Sequence, residues 1–565
     1  MLRFLRHLFI LALAGISLFA LVPSGARALP PASAGETPDV RGVIHVHTVR
    51  SDGTGSIDTV TAAAARAGLN FVVVTDHGDG TRAPDAPDYR NGVLYIDALE
   101  ISTNDGHLLA LGLPQAPYPL RGDARDVVDD VARLGGFSIA AHPGSAKAEL
   151  QWTDWTTPVN GIEWLNGDSE WRDEPWWTLA RSLLVYPFRP PQALALLLDR
   201  PATVLDRWDS LTRQRQVVAV AGADAHARVG VRTVGEPYDS GGGGSLHFPS
   251  YEALFREFSV SVPDIRLAGD AATDAQSLIG AIRAGHVYST IDALGGPARF
   301  RFTAAGSSGT ARMGDTIPME GLLTMRVDVR APVEARITLR RDGAPVASGG
   351  GPTLEYRAPG EAGAYRVEVA LPRAPGVPPV PWIVSNPIYA GRRPDTPTAP
   401  SPSARESLTL YNGGPARDWT IEKSAASDAA INVVETLGAS QLLLRFALSG
   451  APSDHPYAAF LMPATSAIAR QDRLVFTARA DRPMRVSVQL RSPGEGNGRR
   501  WQRSVYLDQT SRRLELPLRD FRPIDTEPAL VDLASVQTVL FVVDAVNTRI
   551  GSNGQVWLAD IRYAR

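Results

Sequence analysis

Histidine and carboxylate positions carry the strongest chemical signal in this sequence. Of ten histidines, six fall at or near the ends of predicted strands: His45, His47, His77, His107, His142 and His226. Asp52, Asp76, Glu100 and Asp224 accompany them. Neutral imidazole and carboxylate are the nitrogen and oxygen ligands of divalent metals. The chain has no cysteine, so thiolate sites, disulfides and cysteine nucleophiles are excluded. His45 and His47 stand two apart on a predicted strand, so both side chains should project from one face. Asp224 and His226 repeat that spacing. Asp76 neighbours His77 and points to the other face, which suits an orienting role. His107 is the exception, because it opens its predicted strand instead of ending it.

The elements that must position these residues alternate from about 40 to 295. Apolar runs such as Gly42–Thr48, Phe71–His77, Phe137–His142 and Val217–Asp224 read as strands. Ile57–Ala67, Ala124–Leu134 and Ala275–Ala284 read as helices. This alternation predicts a parallel α/β sheet or barrel, with active groups gathered at the strand ends. Residues 296–391 switch to period-two patterning, as in Leu323-Thr-Met-Arg-Val-Asp-Val, and predict a small β-sandwich. Residues 392–405 form a Pro/Ser/Thr-rich linker, and 406–565 predict a second sandwich of jelly-roll kind.

The motifs His45-Val-His-Thr-Val-Arg-Ser-Asp-Gly, Thr75-Asp-His77, Glu100-Ile-Ser-Thr, His107, Ala141-His142-Pro143 and Gly222-Ala-Asp224-Ala-His226 resemble, in order, those of the polymerase-and-histidinol-phosphatase (PHP) superfamily of metallohydrolases. Leu278-Ile-Gly-Ala-Ile-Arg-Ala-Gly-His-Val-Tyr-Ser-Thr and Trp382-Ile-Val-Ser-Asn-Pro-Ile-Tyr look like its carbaryl-hydrolase-like branch. The resemblance spans about 40–290. It implies a distorted (β/α)7 barrel followed by the two all-β sandwiches, and two or three divalent ions (Zn, Mn or Fe). It would give one ion to His45, His47, Glu100 and Asp224. A second would bridge through Glu100 to His107 and His142. A third would sit on Asp52, His77 and His226. Lys147 and Arg228 are the candidate substrate contacts, and Asp76 supports the ligands.

The chemistry such a site implies is hydrolysis, with a water brought toward hydroxide at neutral pH. A phosphoesterase is the commonest activity the resemblance implies. A carbamate or carboxylic ester hydrolase is the alternative from the branch, and a non-catalytic glycan-binding surface protein is a third class. The barrel region holds no G-x-S-x-G elbow and no P-loop. Trp152, Trp155, Trp164, Trp171, Trp176 and Trp177 crowd one stretch and are candidates for an aromatic cleft. Gly241–Gly244 reads as a flexible loop at its edge. The closing segment Val556-Trp-Leu-Ala-Asp-Ile-Arg resembles carbohydrate-binding modules of the galactose-binding-like kind, which would make a polysaccharide a partner.

Length and composition bound the rest. The chain has 565 residues, 44% hydrophobic and 21% charged, with 57 Lys plus Arg against 60 Asp plus Glu. That suits a multidomain globular protein and gives no support to nucleic-acid binding. Arg3 and Arg6, the apolar run Leu8–Val22 and Ala26-Arg27-Ala28 have the three-part layout of a secretory signal peptide. This predicts that residues 1–28 are removed, that the protein is exported to the periplasm or beyond, and that no membrane span remains. Its substrate would then be a small-molecule or polymer-linked ester.

Overall fold

The computed structural model describes residues 38–230, 245–246, 248–296, 298–391, 407–436, 439–494, 498–524 and 531–565, with Arg6 and 29–31. The predicted signal peptide, the linker at 392–405 and the Gly241–Gly244 loop lie outside the described residues. The chain divides into two compact units: Met1–Pro114 with Asp123–Thr396, and Gln115–Gly122 with Pro397–Arg565.

In the first unit the site is carried by a closed sheet. Its strands are β1 (Val40–Val46), β2 (Phe71–Val74), β3 (Val93–Asp97), β4 (Leu99–Thr103), β5 (Gly106–Leu111), β6 (Phe137–Ala140), β7 (Gly161–Asn166) and β8 (Val218–Ala225). β2 and β6 are buried along their whole length, which is why they read as unbroken apolar runs. Ile44, Phe71, Val73, Leu94, Ile139 and Val220 form one core with Leu278 and Ile282 of the helix Ala271–Arg283. Asp270 caps that helix, its carboxylate accepting from Thr273 N at 2.9 Å.

The expectation of a (β/α)7 barrel followed by two separate sandwiches is corrected here. Strand outweighs helix in the chain, and the closed sheet is mixed. β1 pairs in parallel with β2 and β8, and β7 with β6 and β8. β4, however, runs antiparallel to β5, and β5 antiparallel to β6. No helix separates β2 from β3 or β4 from β5. The cause is local. Thr103 pairs with Gly106 across Asn104-Asp105, a two-residue hairpin connection, and Gly106 takes φ +115°. A crossover helix cannot fit in two residues.

The small sandwich also differs from expectation. Ser259–Val262 joins β1, Tyr288–Thr290 joins Ser259–Val262, and Ile383–Ser385, Gly363–Ala370 and Arg336–Arg341 extend the same hydrogen-bonded system. Gly309–Arg312, Phe300–Gly306, Leu323–Val329 and Thr353–Ala358 form a separate four-stranded sheet. The second unit is a β-sandwich of two six-stranded antiparallel sheets around Leu442, Phe460, Phe476, Val488, Phe541 and Ile561. Within it, Asn547 Nδ2 donates to the carbonyls of Pro119 and Arg121 at 2.9 and 3.1 Å. No described helix is long and apolar enough to cross a membrane.

One buried ion network fastens Gly363–Ala370 to the helix Ala202–Thr212. Arg366, 1% exposed, donates to both oxygens of Asp209 at 2.6 and 2.7 Å and to Glu368 at 2.7 Å. Cutting a buried pair leaves a desolvated charge without its partner. Arg366→Ala should therefore cost about 3–5 kcal/mol, read as a lowered melting temperature of the first unit.

Candidate metal centre

The ends of parallel strands β1, β2, β6 and β8 bring ligand-type residues to one mouth. His45 and His47 come from the end of β1, His77 from just beyond β2, and His142 from just beyond β6. Asp224 ends β8 and His226 follows it. Glu100 belongs to β4, which continues the β3 line and bridges His77 in parallel. His107 is no exception in the folded chain. Because β5 runs antiparallel, its opening residue lies at the same mouth as the closing residues of its neighbours.

The nine expected ligand residues fall into four overlapping groups, each with ligand atoms within 4.8 Å of one another. These are His47/Asp52/His77/His226, His45/His47/Asp224, His45/Glu100/His142 and His77/Glu100/His107. Glu100 joins them. Its Oε1 lies 2.8 Å from His107 Nδ1 and 3.0 Å from His142 Nε2. Its Oε2 lies 3.2, 3.1 and 3.4 Å from His45 Nε2, His47 Nε2 and His77 Nδ1. Asp224 Oδ1 is 3.3 Å from both His45 Nε2 and His47 Nε2. Asp52 Oδ2 is 3.0 Å from His226 Nε2.

The i, i+2 argument for His45 and His47 holds in outcome but not in mechanism. The register against β8 shifts between Ile44 and Val46, and His45 adopts φ +69°. Asp224 at +47° and His142 at +30° share that left-handed region. Three strained non-glycine residues at one site mark a geometry held by its surroundings.

Two carboxylates hold the ligands in place. Asp76 reaches none of the imidazoles among its hydrogen bonds. It accepts from Thr48 N and Thr48 Oγ1 at 2.7 and 2.6 Å and from Ser51 Oγ at 2.6 Å, so it fixes the turn between His47 and Asp52. Glu163, on β7, was not found in the sequence reading. Its Oε1 lies 2.7 Å from His45 Nδ1, while Oε2 accepts from His142 N at 2.7 Å and Asn166 Nδ2 at 2.8 Å. Gly222 leaves room for it, since a Cβ there would stand 1.7 Å from Glu163 Oε1.

Burial penalises every charge in the cluster, yet the two signs hold each other. Burial raises the Glu100 carboxyl, but the imidazoles of His77, His45 and His107 hold it well below its ordinary range. Burial works against His47, and the carboxylates of Asp224 and Glu100 lift it to about 10. His77 goes the other way, lowered by burial and by the charge of His47 against the pull of Glu100. The donor set fits divalent cations. His47 Nε2 is buried and makes no hydrogen bond although two carboxylate oxygens lie within 3.3 Å. These nitrogen and oxygen atoms converge on shared points, where divalent ions could take the place of the protons that now hold the cluster together.

Of the expected substrate contacts, Arg228 is at the mouth, its Nη2 3.4 Å from Asp52 Oδ2. Lys147 stands half-buried in the turn after His142, its backbone N–H donating to Ser145 Oγ. The tryptophans divide. Trp152 and Trp164 are core residues whose Nε1 groups donate to Asp154 O and Ser289 Oγ. Trp171 walls a cavity beside Asp224 and His226, while Trp176 and Trp177 are exposed.

No family model matches the chain, and no curated protein does. Solved structures similar to part of it include the family 11 carbohydrate-binding module of a cellulosomal cellulase of Clostridium thermocellum, at 14% identity over 29% of this chain and 96% of that one, with a TM-score of 0.24. A family 30 module from a cellulosomal cellulase of the same organism is 14% identical over 28% of this chain and 98% of its own, with a TM-score of 0.22. An agarase is 11% identical over 28% of this chain and 24% of its own, at 0.20. Scores this low set neither fold nor function.

Proposed function

We propose that the first unit is a metal-dependent hydrolase of the ester class. The observation that carries this reading is the set of four overlapping His/carboxylate groups, two of which share Glu100. The motif resemblance to the PHP superfamily supports it. Adjacent divalent ions there would lower the pKa of a water and draw charge from the oxygen of the bond under attack. His45, His47, Asp52, His77, Glu100, His107, His142, Asp224 and His226 would hold them. Glu163 fixes the His45 ring, and Asp76 fixes the turn that carries Asp52.

Charge at the mouth favours carbamate or carboxylic esters over phosphomonoesters. Among the described residues walling the cavity beside Asp224, Arg228 is the one Lys or Arg, and Asp52 already engages it. A phosphate dianion would face Glu170 and Glu257 across that cavity. A second reading, polysaccharide binding by the C-terminal sandwich, rests on the resemblance of its closing strand Asn553–Ala564. The two readings are compatible, since they concern different units.

Full-length protein loaded with Mn or Zn should cleave an aryl carbamate or carboxylic ester in preference to an aryl phosphomonoester or phosphodiester. His77→Ala should remove the activity. Phosphoester cleavage alone would reverse the order, and bound metal with no turnover would sink the reading. Glu163→Gln should weaken metal affinity about 10–100-fold, read by metal titration. Gly222→Ala should act in the same direction, by displacing the Glu163 carboxylate. For the second reading, migration of the full chain should be retarded in gels containing a soluble β-glucan or agarose. Unchanged migration in every polysaccharide tried would count against it.

A further inference from the structure

A cavity of about 330 Å³ opens beside the metal-ligand cluster, with Asp224, His226 and Arg228 in its wall. That is the lower end of the size range for small-molecule sites. The rest of its wall is largely apolar, with Trp171, Leu179, Leu183, Leu198 and Phe248. Three acids also line it: Asp168, Glu170 and Glu257. Asp168 is engaged, by the Arg172 guanidinium and by Trp171 Nε1 at 3.1 Å. The two glutamates pair with no cation among the described residues. Glu257 is 3% exposed, and among the described residues its carboxyl has no hydrogen-bond or ion-pair partner. Glu170 accepts only the Asp199 backbone N–H, at 3.3 Å.

A buried carboxyl without a partner in an apolar wall is costly unless something else supplies the charge or the hydrogen bond. Burial pushes both groups well above the ordinary carboxyl range, and the charge of Glu170 adds to the effect on Glu257. Among the described residues of the wall the one Lys or Arg is Arg228, and it is paired with Asp52. Protonation answers this in the empty cavity, and a ligand with an apolar body and a positive end would answer it for the ionised carboxyls. The hydrocarbon would bury against the leucines and Phe248, and an ammonium would meet the carboxyls and the aromatic faces.

We propose that this cavity recognises a cationic, quaternary-ammonium-like group on an apolar body, with Glu257 and Glu170 as the specificity-determining residues. As a statement about substrate it rests on the hydrolase reading and deepens it to esters whose non-reacting part is an apolar cation. As a statement about binding it stands on the cavity alone.

The test separates the two. Choline and its neutral isostere 3,3-dimethylbutan-1-ol would be titrated calorimetrically into metal-free full-length protein. Choline should bind at least tenfold more tightly, and Glu257→Gln should bring the two together. Equal affinity in the wild-type protein overturns the proposal whether or not the variant folds. The benzoate esters of both alcohols would then be offered to the metal-loaded protein. A tenfold or greater preference in kcat/KM for the cationic ester, brought toward unity in Glu257→Gln, supports the substrate class. Choline selectivity without turnover of either ester retires the hydrolase reading and leaves the binding site standing. Turnover of both esters at equal kcat/KM overturns the substrate class and leaves the hydrolase reading intact.

Discussion

Everything at the centre depends on the Glu100 carboxylate. It is 1% exposed, and its two oxygens have five imidazole nitrogens within 3.4 Å. Isolated burial of such a charge is prohibitive. The imidazoles make it tolerable in one of two ways: by carrying protons themselves, or by sharing cations with it. The lifted His47 and the lowered Glu100 describe the first state. Metal binding would replace protons by divalent ions on the same atoms and so release protons. Asp52 and Asp224 obey the same logic, each held below its ordinary value by neighbouring histidines.

The mixed sheet follows from where Glu100 must be. β3 and β4 together carry the chain to the mouth, and the Asn104-Asp105 hairpin turns it back at once. A helical crossover would have taken the next strand to the far side before returning it. The hairpin instead places His107 across from Ser102, so that Glu100 and His107 converge from adjacent strands. Positive φ at His45, His142 and Asp224 works to the same end. An ordinary extended strand would turn alternate side chains away, whereas a bulged or left-handed residue re-aims one.

The sequence was legible where chemistry constrains residue type. Histidines and acids recurring at strand ends announced the nine residues that the fold brings together, and Asp76 was separable from them by alternation alone. The layout of the strands was less legible. Strand–helix alternation was real around β1, β2 and β6, but a parallel sheet was expected throughout, and within Val93–Leu111 β4 and β5 run antiparallel across an Asn-Asp-Gly turn that signalled a hairpin. His107, opening a strand, was the visible conflict. Glu163 was missed because it stands mid-strand with no motif around it. The available signal was an acid inside the apolar run Gly161-Ile-Glu-Trp-Leu, since a charge buried in a strand must have partners. The tryptophan run misled in part, because aromatic crowding alone does not distinguish Trp164 of the core from Trp171 of the cavity wall.

The contrast between the cluster and the cavity beside it is itself an argument about mechanism. A cluster of nine polar ligands would be screened and weakened in open water. It is packed between the core of β1, β2 and β8 on one side and a leucine-lined cavity on the other, a low-dielectric setting in which fixed charges would act on a bond under attack at greater strength. The same apolar wall also sets the problem of Glu170 and Glu257, which burial makes costly to ionise and which pair with no cation among the described residues. The reactivity proposed for one end of the cavity and the selectivity proposed for the other would thus have one physical cause, the exclusion of water from a small space whose charges the described residues only partly balance.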